Sequence, residues 1–238
     1  MHVSKVLLCH EKYPVRDCYP FNLSIFNSTR FVNFTSPVTF FVGENATGKS
    51  TLLQAISKRC GIYIWGEDSG RQRSEYNLYE RDFYKVIDIE WTNGRVPGSF
   101  FGADLFRNYA SIVDEWVKMD PGLAEFFGGK SLVSQSHGQS ILSFFRACFG
   151  VPGLYLLDEP ETGLSPSSQL SLLSLLSQTA AAGNAQFIIA THSPILLSLP
   201  SAVLLSFDSP AIEAISYAES SHYRLYREFF DRQRETAR

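Results

Sequence analysis

Nine consecutive residues, Gly43-Glu44-Asn45-Ala46-Thr47-Gly48-Lys49-Ser50-Thr51, set glycines, an ammonium and hydroxyls in a spacing suited to phosphate chemistry. In the pattern G-x-x-x-x-G-K-[ST] the glycines let backbone N–H groups turn inward on phosphate oxygens. Lys49 then reaches the β- and γ-phosphates, and Ser50 ligates Mg²⁺. The binding set read from this stretch is Gly43, Asn45, Ala46, Thr47, Gly48, Lys49, Ser50 and Thr51. Further on, the apolar run Leu154-Tyr155-Leu156-Leu157 ends in Asp158-Glu159. Such a run delivers Asp158 to the carboxyl end of a buried strand, where it can hold the Mg²⁺ shell, through a water. Glu159 follows directly, placed to polarise a water for in-line attack on a γ-phosphate. Apolar runs ending in acids are common strand ends, and this one gains weight by lying well downstream of the glycine loop.

Two shorter stretches carry less on their own. Ser136-His137-Gly138-Gln139 heads a helical pattern, and a Ser at a helix N-terminus with a Gly nearby suits an anion, although such a Ser is commonly only an N-cap. In Ala190-Thr191-His192-Ser193-Pro194 a His lies just beyond a buried strand, a place where a lone His is more often structural than catalytic.

Holding these groups together calls for particular elements. Val6–Leu8 and Val38–Val42 read as strands, with Pro37 setting the start of the second. That strand runs straight into the glycine loop, after which Leu52, Leu53 and Ile56 recur at helical spacing. Residues 61–80 are polar, carry Gly66, Gly70, Arg71 and Arg73, and read as an exposed loop. Lys85–Trp91 alternates as a strand and turns at Asn93-Gly94 into a second near Ser99–Gly102, a predicted hairpin. Leu105–Phe127 turns helical, with Phe106, Tyr109, Ile112, Val113 and Trp116 in register, and a further helix runs through Ile141, Leu142, Phe144 and Phe145. Beyond Gly150, Leu154–Leu157 reads as a fully buried strand, and Ser165-Pro166 opens a helix that turns Leu170, Leu172, Leu173 and Leu176 to the sheet until Gly183. Phe187–Ala190 is the next strand, Ser193-Pro194 opens another helix, Val203–Ser206 and Ala211–Tyr217 form a terminal hairpin, and Ser221–Phe230 is the last helix.

A chain of 238 residues, 45% of them hydrophobic, can bury a substantial core in one domain. No apolar run is long enough to cross a bilayer, and the start Met1-His2-Val3-Ser4-Lys5 lacks the layout of a signal peptide, so a cytoplasmic protein is expected. Cys9, Cys18, Cys60 and Cys148 are scattered and read as reduced, mostly buried thiols, with no zinc site. A net charge of −3 supplies no global field for nucleic acid. Near the end, Arg224, Arg227, Arg232, Arg234 and Arg238 interleave with Glu228, Asp231 and Glu235, so a solvated helix face is expected, a local nucleic-acid patch being the alternative.

In this order the four stretches resemble the ABC-ATPase superfamily, and within it the small stand-alone prokaryotic ATPases of the AAA or RecF/SMC-like group. The likeness spans essentially the whole chain. It implies an α/β P-loop NTPase fold of ABC-ATPase type with a small antiparallel β region, one domain over residues 1–238 with a helical lobe about 104–150. It makes Glu159 the catalytic glutamate, His192 the switch histidine, Ser136, Gly138 and Gln139 the signature, and Thr162–Ser165 the D-loop region. Lys49, Glu159 and His192 are then the catalytic set, with Ser50 and Asp158 at Mg²⁺. The implied activity is hydrolysis of ATP, each ATP lying between the glycine loop of one copy and the signature of a second copy in a head-to-tail dimer. The implied partner is another cytosolic protein, a nuclease or DNA-processing enzyme by analogy; direct action on DNA and service as a transporter's nucleotide-binding subunit are the alternatives. Two departures stand out: His137 replaces the first glycine of the usual Ser-Gly-Gly-Gln, and Ser165 stands where an Asp is common. Asp104 occupies the place of the family's metal-sensing Gln, with an exposed carboxylate at a helix start as the plainer reading. Tyr13, Tyr19 and Phe21 are the aromatics available to stack on adenine, with core packing the expected work of at least two.

Overall fold

Strand residues whose neighbours in sequence are also apolar must find a core on both faces of their sheet. The segment around Asp158 does so: Leu154 and Leu156 enter one core while Tyr155 and Leu157 enter another. Phe187 and Ile189 part from Ile188 and Ala190 in the same way, as Phe40 parts from Phe41. These segments are β6 (Gly153–Asp158), β7 (Ala185–Ala190) and β3 (Val38–Val42). The computed structural model describes residues 1–64, 79–120, 122, 125 and 131–236.

Together with β5 (Gly98–Gly102), β8 (Val203–Ser206) and β9 (Glu213–Ile215) they make a six-stranded sheet in the order β5-β6-β7-β3-β8-β9. The first five strands are parallel and β9 closes the edge antiparallel to β8. One face is covered by α2 (Lys49–Cys60) and by a second, antiparallel sheet of β1 (Val3–Leu8), β2 (Phe31–Asn33) and β4 (Ile87–Trp91), in the order β2-β1-β4. Gln186 of β7, fully buried, accepts from the Val3 N–H at 2.8 Å and donates to the Val3 carbonyl at 2.9 Å, so one side chain ties the two sheets together. Helices α3 (Ala103–Met119), α4 (His137–Cys148), α5 (Pro166–Ala181) and α6 (Pro194–Leu197) cover the other face. A short helix, α1 (Ser24–Ser28), precedes β2, and α7 (Ser221–Thr236) ends the described chain.

Several expectations are corrected. The predicted hairpin across Asn93-Gly94 does not form: β4 pairs with β1 in the antiparallel sheet, whereas β5 lies parallel to β6 in the other. Gly94 does turn, at φ +89°, but the chain changes sheets there. Leu170 is exposed rather than packed on the sheet, because the buried stripe of α5 is Leu172, Leu176 and Ala180. Ile62 and Ile64, inside the stretch read as exposed, are buried, and Glu80–Val86 forms a 3-10 helix; Gly66, Gly70, Arg71 and Arg73 lie outside the described residues. All four cysteines are free, but only Cys60 is buried and Cys18 is exposed. The helix from Leu105 is described to Met119, and most of its expected end to Phe127, like Arg238, lies outside the described residues. The last helix pairs Arg227 with Asp231 and Arg232 with Glu228, yet Leu225, Tyr226, Phe229 and Phe230 are also exposed on it, so it is not simply a polar face. Among the described residues no helix is long and apolar enough to cross a membrane.

Candidate active site

Parallel strands all end on the same edge of a sheet, and that edge is where open α/β folds bind ligands. Here it collects the loop after β3, the carboxylates ending β6, the segment Thr191–Ser193 after β7 and Asp208 after β8. Residues distant in sequence meet because β6, β7, β3 and β8 lie side by side.

The loop turns sharply. Gly48 has φ +101°, and a Cβ there would lie 2.8 Å from the Phe26 ring, so both conformation and room call for glycine. Ala46 takes φ +63° despite its side chain, a strained backbone costing about 1 kcal/mol or more. Lys49 is buried and donates to the carbonyls of Gly43 and Glu44, each at 2.7 Å, so its ammonium already lies inside the loop's curve. Burial draws its pKa down, while Asp208, Glu159, Asp158 and Glu44 oppose that fall. Thr47 donates to the Glu44 carbonyl at 2.9 Å, and Asp208 accepts the Glu44 N–H at 2.7 Å. Asn45 is exposed beside them, and Thr51 on α2 meets the Tyr19 hydroxyl.

Ser50 donates to Asp158 Oδ1 at 2.8 Å. A hydroxyl and a carboxylate are the oxygen donors Mg²⁺ takes, with phosphate and water completing its shell, so the pair fits that ion. Burial pushes the Asp158 carboxyl up to about 6, against the Ser50 hydrogen bond, with Glu159 adding to the rise. A carboxyl whose folded pKa exceeds its unfolded value stabilises the fold only below that unfolded value, near pH 4, and the benefit is lost as pH rises through about 6. Asp158→Asn is therefore expected to raise the melting temperature of the nucleotide-free protein at pH 8, by roughly 1–3 kcal/mol of stability. Melting curves from pH 4 to pH 8 check this: the Asn protein should decline less steeply than the wild type, the buried Glu161 keeping its own share of the fall, and an unchanged decline would refute the buried charge at Asp158.

Glu159 adopts φ +49°, which breaks the strand direction straight after Asp158, and its N–H donates to the Ala190 carbonyl at 2.9 Å. Its side chain is 46% exposed, with Oε1 lying 3.8 Å from Nε2 of His192. Asp158 is thus engaged by Ser50 while Glu159 stays open to water. Three neighbours were missed from the sequence. Glu161 accepts the His192 N–H at 2.7 Å, its carboxyl raised chiefly by burial; it stood in view as the third acid of Asp-Glu-Pro-Glu. His222, on α7, places Nε2 2.9 Å from Nδ1 of His192. Asp208 is a lone acid in a serine-rich turn.

Ser136 stands at the N-cap of α4, the position expected of it, but its side chain makes no capping hydrogen bond. Ser136 and Gln139 are exposed, and among the described residues no hydrogen bond or ion pair joins residues 136–139 to the loop 43–50. His137 does pack: Gly163 has φ +80° and leaves the space its ring fills, since a Cβ there would lie 2.3 Å from His137 Cδ2. Gly138 lies beside Leu164 and Gly163 of the same turn. Ser165 caps α5, accepting the Ser168 N–H at 3.2 Å. Asp104 is exposed in the first turn of α3, two residues beyond Gly102, which is in register with Asp158. Among the aromatics, Phe21 is fully buried with its ring centroid 4.9 Å from that of Tyr13, and Tyr19 lies beside α2, its hydroxyl meeting that of Thr51.

Two AAA-domain family models match the chain. One, whose description provisionally names an AbiEii toxin of a type IV toxin–antitoxin system, matches residues 131–198, and the other matches residues 21–98. PhnK of Escherichia coli, provisionally described as a phosphonates utilization ATP-binding protein, is 28% identical over 193 residues, 70% of this chain and 73% of its own length. The cobalt import ATP-binding protein CbiO of Salmonella typhimurium is 28% identical over 179 residues, 66% of this chain and 62% of its own length. The solved structure of cbiO1 from Clostridium perfringens, part of the ABC transporter complex cbiONQ, shares the fold at a TM-score of 0.53 and 17% identity, with 92% of this chain and 90% of that one covered.

Proposed function

From the premise that this chain belongs to the ABC-ATPase/AAA-like P-loop family and is an ATPase, we propose that ATP closes it head-to-tail on a second copy. In this reading residues 1–238 are one domain with a helical lobe about 104–150, and the closed pair acts as a switch on another cytosolic protein. The observation that carries it is Ser136, exposed, free of a capping bond and unlinked to its own glycine loop. A helix N-terminus offers N–H donors and positive potential, and an uncommitted hydroxyl there suits the γ-phosphate held by a partner copy.

Each residue then has one task. The loop N–H groups and Lys49 hold the phosphates, Tyr19 offers its ring to the adenine, and Ser50 with Asp158 holds Mg²⁺, which neutralises charge developing on the phosphates. Glu159 orients the attacking water, and His192 donates from Nε2 toward the γ-phosphate. Closure brings Ser136, Gly138 and Gln139 of the second copy to complete the charge-stabilising set, and hydrolysis releases it. The exposed Leu225, Tyr226, Phe229 and Phe230 of α7 support a protein partner. The ion pairs that engage Arg227 and Arg232 weigh against a nucleic-acid role, which duplex mobility shifts across a salt series would test.

Ser136→Arg should retain ATP binding by calorimetry and lose turnover. Mixed with Lys49→Ala, it should regain activity, because the mixed dimer pairs an intact glycine loop with an intact signature. No rescued activity at any mixing ratio would overturn the shared site. A second reading, a transporter's nucleotide-binding subunit, is favoured by the kinship with PhnK and CbiO. Recovery of a membrane protein with the tagged chain from detergent extracts, and ATPase stimulation by it, would establish that reading over the first.

A further inference from the structure

We propose that His222, at the start of α7, is a positioning residue for hydrolysis, holding the ring of His192 so that Nε2 of His192 faces the reacting phosphate. The inference rests on the assignment of His192 to the hydrolytic step. Nδ1 of His192 lies 2.9 Å from Nε2 of His222, with ring centroids 5.1 Å apart. Nε2 of His192 is buried without a hydrogen-bond partner. A ring nitrogen left so is costly, and here it is the one valence available to an incoming ligand.

The proton can be placed from the surroundings. Nε2 of His192 lies 3.8 Å from Glu159 Oε1, and an N–H is stable facing a carboxylate where a lone pair is not. Nδ1 is then the acceptor, and Nε2–H of His222 donates to it, which leaves Nδ1 of His222 an acceptor 3.4 Å from the Ser221 hydroxyl, whose one proton it shares with Asp208 Oδ2. Burial is the largest influence on both imidazoles and lowers both, which agrees with a neutral pair sharing a single bridging proton. Lys49 and His222 add to the fall at His192 while Glu159 and Glu44 oppose it; at His222, Glu44 and Asp208 oppose and Lys49 adds. A ring fixed by a partner on one nitrogen presents the other in a defined direction, which is how outer residues orient histidines at reacting centres.

The support beneath His222 leads back to the glycine loop. Asp208 Oδ1 accepts the Glu44 N–H at 2.7 Å, and Oδ2 accepts from the Ser221 hydroxyl at 3.3 Å. Tyr217, just before α7, donates to the Pro194 carbonyl at 2.9 Å, which anchors the helix start beside the turn carrying His192. The N-terminus of α7 therefore meets His192 directly and is linked to the phosphate loop through Asp208.

Steady-state ATPase rates, ATP calorimetry and melting curves on His192→Ala, His222→Ala, His222→Gln and the double Ala variant test the proposal. His222→Ala should lose kcat by about 10-fold, with ATP affinity and melting temperature near wild type. His222→Gln, whose amide nitrogen can reach the same position, should recover most of the rate. The double variant should be no slower than His192→Ala, since His222 acts only through His192. In ¹⁵N-histidine spectra of the nucleotide-free protein, His192 should be a single tautomer protonated at Nε2, turning into a mixture in His222→Ala. A full rate for His222→Ala beside a slow His192→Ala overturns the proposal, as does failure of Gln to rescue, additive losses in the double variant, or protonation at Nδ1 in the wild type. A full rate for His192→Ala would instead overturn the role of His192 itself.

Discussion

Hydrolysis by Glu159→Gln is expected to fall by roughly two to four orders of magnitude, the worth of a positioned base, while ATP still binds. The two carboxylates at the end of β6 have different surroundings. Asp158 is held by the Ser50 hydroxyl at 2.8 Å, whereas Glu159 turns out of the strand at φ +49° with its side chain 46% exposed. Its Oε2 receives only a 3.4 Å approach from the Thr162 hydroxyl, and Oε1 lies toward His192. The substitution keeps size and hydrogen bonding but removes the charge that draws a proton from water. Because binding survives, the closed pair should accumulate, and light scattering with ATP and Mg²⁺ should report a doubled mass. Turnover at near the wild-type rate would remove Glu159 from the chemistry. An inactive protein that stays monomeric with ATP bound would leave the base in place and sink the ATP-driven dimer.

Lys49→Ala should weaken ATP binding by about two orders of magnitude or more, from the loss of charged hydrogen bonds each worth about 1.5–3 kcal/mol. The ammonium is the only buried cation among the described residues, and it already donates to two carbonyls within the loop. Alanine removes a positive charge and also leaves the Gly43 and Glu44 carbonyls without that donor. The loop should then be less well ordered before nucleotide arrives, adding to the loss. Calorimetry with ATP measures the affinity directly, and unchanged affinity would mean that the loop is not the phosphate site.

Much of this centre was legible because its first determinants are local. Glycine spacing, a preceding apolar strand and a following helix lie within one stretch, and Ser165-Pro166 and Ser193-Pro194 announce helix starts whose caps form at 3.2 Å. The failures have a shared origin in partner choice. Asn93-Gly94 signals a turn, but alternation in Ile87–Trp91 cannot say which strand will lie alongside. The distinction lay in the patterns themselves: β5 sends Phe100 and Phe101 into different cores, the mark of a strand covered on both faces, while β4 alternates as a one-sided strand does. Leu170 went astray because the Ser- and Leu-rich run of α5 offers more than one apolar stripe, and only packing on β7 selects Leu172, Leu176 and Ala180.

The sequence by itself determined the glycine loop, the strand that delivers Asp158 and Glu159, and the order of elements around them, because each depends on residues a few positions apart. Tertiary structure alone decided what surrounds those groups. Asp208 reaches the Glu44 N–H across 164 positions because β3 and β8 lie side by side and open on one edge, and His222 reaches His192 across 30 because Tyr217 and Ser221 anchor the start of α7 beside that edge. A lone Asp or His at such a separation bears no local mark of its partner. Only the strand order and the docking of α7, settled by which faces bury one another, bring it to the site.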